Sequence, residues 1–118
     1  MRAPQGAIFR TIKEKLPRTA CTSIVVAAEI QFGLRKGVSD RLCAQVEAVM
    51  SALDILPLES PVEQHCGDIR AQLQQAGKTI GANDLFIAAH ARALGLTLVT
   101  NNLRGFERVP GLAIENWL

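Results

Sequence analysis

The chain has 118 residues, one domain by length, with 48% hydrophobic and 20% charged residues. That composition excludes a disordered chain and is sufficient for a core without disulfide staples. A net charge of +2 is too small to argue, by itself, for a nucleic-acid or membrane surface.

In chain order, Pro4-Gln5-Gly6 reads as a turn and Ala7 to Leu16 as a short helix stopped by Pro17. Thr19-Ala20-Cys21-Thr22 suits a short strand of small and β-branched residues. Ser23 suits an N-cap for a helix running to about Lys36 and ended by Gly37. Ser39 or Asp40 caps the next helix, which reaches about Leu53, and Asp54 to Leu58 is a brief strand. Ser60-Pro61 opens a further helix, with Pro61 at its first position, ending near Gly77. Lys78 to Ala82 is a loop, Asn83 to Leu94 a helix closed by Gly95, and Leu96 to Thr100 a strand apolar on both faces. Asn101-Asn102 makes a turn and Ala113 to Asn116 a last short strand, with Trp117 a C-terminal core plug. Strands alternating with helices predict an α/β layered single domain over residues 1–118.

Two acids break the helical pattern. Val25, Val26 and Phe32 stand at i−4, i−3 and i+3 from Glu29, which places Glu29 on an apolar stripe. Ile87, Ala88, Ala91 and Leu94 follow Asp84 at i+3, i+4, i+7 and i+10, so Asp84 also falls on an apolar face. An ionised carboxylate buried alone costs several kcal/mol, so each must be paired, protonated or bound to a cation. Two readings stand. The acids converge on a hard divalent ion, which takes oxygen ligands; or Asp84 serves the dipole of its own first helical turn and Glu29 pairs with Arg35 or another cation.

Other candidates carry less. His90 is off the face of Asp84, His65 follows no ligand spacing, and both read as surface or packing residues. Asp54, Glu59, Glu63 and Asp68 read as caps or solvated acids. Cys21, Cys43 and Cys66 are odd in number and widely spaced, so free, buried thiols in a reducing cytoplasm are expected. The N-terminus has no apolar signal core, and the longest apolar stretch, Ile24 to Ala28, is far too short to span a bilayer. Basic residues gather at Arg10, Lys13, Lys15 and Arg18, at Arg35 and Lys36, and at Arg104 and Arg108.

Four segments carry a family resemblance. Ile80-Gly81-Ala82-Asn83-Asp84-Leu85-Phe86-Ile87-Ala88-Ala89-His90-Ala91, then Gly95-Leu96-Thr97-Leu98-Val99-Thr100-Asn101-Asn102-Leu103-Arg104-Gly105-Phe106, resembles the C-terminal half of PIN domains, and more narrowly the VapC toxins of bacterial toxin–antitoxin pairs. The ending from Phe106 to Trp117 and the segment Thr22 to Gly33 resemble the same group. The resemblance implies a three-layer α/β fold, a short, mostly parallel sheet flanked by helices. It also implies an endoribonuclease using Mg²⁺ or Mn²⁺, a VapB-type antitoxin, transfer RNA as substrate, a homodimer and a cytoplasmic location. Glu29 matches the family's helical glutamate, Asp84 the aspartate of its N-D-L-x-I-A-A motif, and Asn102 the position of a fourth acidic residue. Arg10, Lys13, Arg35, Lys36 and Arg104 are the candidate RNA-binding residues. The family's opening strand and L-D-T-N-like motif have no match in Met1 to Ala20, and no Asp precedes Asp40. The expectation is that Met1 is an internal methionine and that the first central strand is absent. The alternative function is then an inactive remnant that keeps antitoxin binding or dimerisation.

Overall fold

The structure, a computed structural model, describes residues 21–100 and 102–116. The expected first helix, the expected absence of the opening strand, and the Trp117 plug all fall outside the described residues. The chain divides into two compact units, with the boundary along the sequence between Pro57 and Leu58.

The described residues of the first unit form a β-α-α-β segment. Strand β1 (Cys21–Ser23) pairs in parallel with β2 (Asp54–Leu56), Cys21 opposite Asp54 and Ser23 opposite Leu56. Helix α1 (Ile24–Arg35) starts where the Ser23 hydroxyl accepts from the Val25 N–H at 3.1 Å. Helix α2 (Asp40–Ser51) starts the same way: Ser39, not Asp40, is the cap, accepting from the Leu42 N–H at 3.1 Å, and Asp40 sits in the first turn. Ala27, Val46 and Val49 are the buried apolar residues among the described residues of this unit.

The second unit is built on a helix pair. Helix α3 (Val62–Gln75) follows Pro61, which occupies the cap position rather than the expected first helical position. Ser60 donates its hydroxyl to the Glu63 carboxylate at 2.7 Å. Val62, Ile69 and Leu73, spaced seven and four apart, form the buried face of α3, while helix α4 (Ala82–Leu94) buries Ile87, Ala88, Ala89 and His90. The fully buried Ile69 alone is worth roughly 1.5–3 kcal/mol against exposure. The two alanines, both fully buried, let the helices approach closely.

Helix α4 ends as expected at Gly95, in the left-handed conformation at φ 68. The Leu96 N–H turns back to the Ala91 carbonyl at 2.9 Å, which removes Leu96 from the following strand. Strand β3 is therefore only Leu98–Val99, shorter than expected, and it pairs in parallel with β4 (Ile114–Glu115). Between them, Asn102 caps a short helix α5 (Leu103–Phe106) where the sequence suggested a plain turn. Phe106 and Val109 are buried behind it.

Gly95 yields a clean stability prediction. No atom lies within 4 Å of a Cβ built there, so the strain of Gly95→Ala is purely conformational. Urea unfolding is expected to show a loss of about 1 kcal/mol, and an unchanged midpoint would contradict the left-handed cap.

Candidate active site

Asp84 is the third residue of α4 and is half-buried. It shares the face of the buried Ile87 and Ala88, as the spacing predicts, although Leu94, farther along that stripe, is half-exposed. Gly81, the cap residue of α4, offers no side-chain acceptor to the helix start, so the acid of the first turn is Asp84 alone. A carboxylate there is stabilised by the aligned peptide dipoles. Among the described residues, none supplies a hydrogen bond or ion pair to that carboxylate. Its acceptor capacity is left for something outside the helix.

Glu29 departs from its expected setting. It is exposed, and so is Phe32, at 66%. The buried residue of α1 is Ala27, two positions away and so about 200° around the helix. The stripe misled because α1 is apolar on nearly every side, from Ile24 through Leu34. No ion pair to Arg35 forms either: the Arg35 guanidinium donates to the Gln31 carbonyl and to Gln31 Oε1 at 2.6 Å. Lys36 stands over the Phe32 ring, 5.2 Å from its centroid.

Asn102 is exposed at the start of α5. Its N–H donates to Thr100 Oγ1 at 2.9 Å and its Oδ1 accepts from the Gly105 N–H at 3.3 Å. The side-chain carbonyl is thus committed to the cap, and the amide Nδ2 remains to donate outward. Arg10 and Lys13 lie outside the described residues. Arg104 is exposed on α5, beside Lys78 and Arg108 in an open cleft. Among the described residues, no group of three His, Cys, Asp or Glu side chains is gathered about one point.

A second polar cluster escaped the sequence reading. Arg92, at the end of α4, donates Nε to His65 Nδ1 at 2.8 Å, Nη1 to the Pro110 carbonyl at 2.8 Å and Nη2 to Asp68 at 2.7 Å. Asp68 is therefore a tertiary ion-pair partner rather than a solvated acid. The Arg92 hydrogen bond, helped by Gln72, holds its carboxyl below the usual carboxylate range. The sequence signal was slight: His65 and Asp68 stand three apart on one face of α3. Because Nδ1 accepts, the ring proton of His65 belongs on Nε2. His90, 3% exposed, is a packing residue.

The cysteines are free, as expected, but not buried: Cys21 is exposed, and Cys43 and Cys66 are half-buried. Desolvation, with the Glu47 carboxylate 3.5 Å from its sulfur, pushes the Cys43 thiol up, so it is a poor nucleophile. Among the described residues no helix is long and apolar enough to cross a membrane.

The comparisons with known proteins agree with one another. The PIN domain family matches residues 2–112. The ribonuclease VapC2 of Haemophilus influenzae is 46% identical over 99 residues, covering 83% of this chain and 75% of that protein. The tRNA(fMet)-specific endonuclease VapC of Salmonella typhimurium is 42% identical over 98 residues, covering 82% of this chain and 74% of the relative. Among solved structures, that of VapBC2 from Rickettsia felis bound to a DNA fragment from their promoter superposes with a TM-score of 0.78 at 39% identity, over 85% of this chain and 76% of the other. The short parallel strands between helices are thus those of a PIN fold, and the chain belongs to the PIN-domain family. Within it, the similarity is to VapC-type proteins.

Proposed function

We propose that this chain is the endoribonuclease toxin of a VapBC-type pair, hydrolysing RNA phosphodiester bonds with a divalent metal ion, Mg²⁺ or Mn²⁺, and acting on transfer RNA. The observation that carries the reading is the Asp84 carboxylate, half-buried at the start of α4 and without a partner among the described residues. It stands in a chain 46% identical to a protein named as a ribonuclease. The transfer-RNA assignment is supported by the 42% identity to an endonuclease named for tRNA(fMet). The antitoxin assignment is supported by the VapBC complexes among the structural relatives.

The donor chemistry suits a hard cation: carboxylates at Asp84 and Glu29 with unmet acceptor capacity, and no soft ligand beside them in the sequence. Asp84 and Glu29 are the residues that would hold the ion. When bound, such an ion polarises a phosphoryl oxygen and lowers the pKa of an attacking water. Asn102, with Oδ1 fixed by the cap, orients an acceptor, a water or a phosphate oxygen, through its Nδ2 donor. Exposed Arg35, Lys36 and Arg104 supply sequence-independent attraction for the RNA backbone. The active species is a homodimer in the cytoplasm, held in check by a VapB-type antitoxin.

A second reading, a catalytically silent protein that still binds antitoxin or dimerises, is favoured by the exposure of Glu29 and the lack of a three-acid group among the described residues. Incubating the purified chain with transfer RNA separates the two. The ribonuclease reading expects cleavage with Mg²⁺ or Mn²⁺, its loss on adding EDTA, and its return when the metal is restored in excess. No cleavage under any of these conditions, with antitoxin still captured, would establish the second reading.

A further inference from the structure

We propose that the cleft between the end of α3 and the α5 turn, lined by Gly77, Lys78, Arg104, Glu107 and Arg108, is a docking site for backbone phosphates of the RNA. The proposal rests on the ribonuclease reading and deepens it. The cleft has a volume of about 540 Å³ and gathers three cationic side chains against one carboxylate. That local excess of +2 equals the net charge of the entire chain.

Like charges converge at a cost unless something neutralises them, and Glu107 offsets only one of the three. Among the described residues, none of the three cations is in a salt bridge. Arg108 makes only a long contact, 3.5 Å, to the Thr79 carbonyl. All three side chains are exposed, so their heads are available to a ligand.

The walls are preformed. On one side the Lys78 N–H returns to the Leu73 carbonyl at 2.9 Å and the Gly77 N–H to Gln74 at 3.1 Å, closing the end of α3 over the buried Leu73. On the other, Asn102 caps α5 and the buried Phe106 and Val109 anchor the turn that carries Glu107 and Arg108. Cations on fixed backbone lose less entropy on binding than cations on a free loop.

Connectivity ties the cleft to the candidate site. Arg104 is two residues beyond Asn102, a Cα reach of at most about 7 Å, and Lys78 is six residues before Asp84, at most about 22 Å. A strand of RNA held at Arg104 therefore passes close to Asn102. The chemistry that fits is the repeated phosphate of a nucleic-acid backbone, because cations spread along a cleft match a line of charges better than one compact anion.

The test measures binding of the full chain to a short fluorescent single-stranded RNA by anisotropy, in chelator so that no cleavage intervenes, over a series of salt concentrations. The variant K78Q/R104Q/R108Q is expected to bind roughly 10–100-fold more weakly at low salt, from three exposed charges at about two- to fivefold each. Its salt slope should be smaller by about 2, since each single-strand phosphate contact contributes about 0.7. Glu107→Gln is expected to tighten binding about two- to fivefold. Glu107 serves the fold through its backbone N–H to the Leu103 carbonyl, so this variant reads charge and not folding. Unchanged affinity and slope in both variants, or no RNA binding by the unaltered chain, overturns the proposal. So does a triple variant that binds RNA normally and loses only an acidic partner protein, which assigns the cleft to protein docking. The two readings fail separately. A chain that shows the slope change yet never cuts RNA keeps the cleft and loses the ribonuclease; a chain that cuts RNA with binding unaffected by the triple variant does the reverse.

Discussion

Asp84→Asn is expected to lower RNA cleavage at least ~100-fold while leaving the protein folded. Asparagine keeps the size of the side chain and removes its charge. The structural cost is small, because Asp84 makes no ion pair or hydrogen bond among the described residues and serves α4 only through the first-turn dipole. That interaction is worth about 0.3–1 kcal/mol, so the unfolding midpoint should move by a few degrees at most. A group that holds a metal or a reacting water is needed in the transition state, so the loss should fall in kcat more than in KM. Cleavage retained within a few-fold would remove Asp84 from the chemistry. Cleavage lost together with the fold would show that Asp84 is structural.

Arg92→Ala should be the most destabilising single change at a polar residue of the second unit, at about 2–3 kcal/mol. The guanidinium, whose side chain is 14% exposed, supplies donors to the Pro110 carbonyl, His65 and Asp68 from one rigid fork. Its removal leaves partly buried acceptors without donors. Its stem also packs on Gly111, where a Cβ would lie 3.5 Å from Arg92 Cδ. Asp68 is half-exposed, so its share is discounted for solvent screening. Lysine should rescue only in part, because one ammonium cannot reproduce a three-way planar fork.

The Arg92 change carries a pH signature. The Asp68 carboxyl is held below its ordinary value in the folded state, first by Arg92 and then by Gln72. Its contribution is therefore complete above the ordinary carboxylate range and disappears as pH falls through the lowered value. The unaltered chain should lose stability along that acid limb, and Arg92→Ala should lose less there. Denaturant unfolding across the acid range decides this: parallel curves for the two proteins would mean that the pair does not couple to folding.

The sequence carried most of what is local. Ser23 and Gly95 were legible because a cap needs a hydroxyl or a left-handed residue at one position and involves only atoms a few residues away. Asp84 was legible for the same reason, as an acid at a helix start with apolar residues three and four beyond it. Glu29 was misplaced because α1 is apolar almost all round, and only contact with the rest of its unit selects Ala27 as the buried side. Strand β3 was overextended because Leu96 looks β-forming but spends its N–H on the end of α4.

The sequence by itself thus determined the family, the order and approximate extents of helices α1 to α4, and the identity of the candidate acid, since each is written in short spacings. Tertiary structure alone decided which face of α1 is exposed, how Arg92 joins partners 27, 24 and 18 residues away, and how Lys78 meets Arg104 and Arg108 in one cleft. Those depend on how helices pack and turns close, and no periodicity along the chain encodes a meeting between residues so far apart.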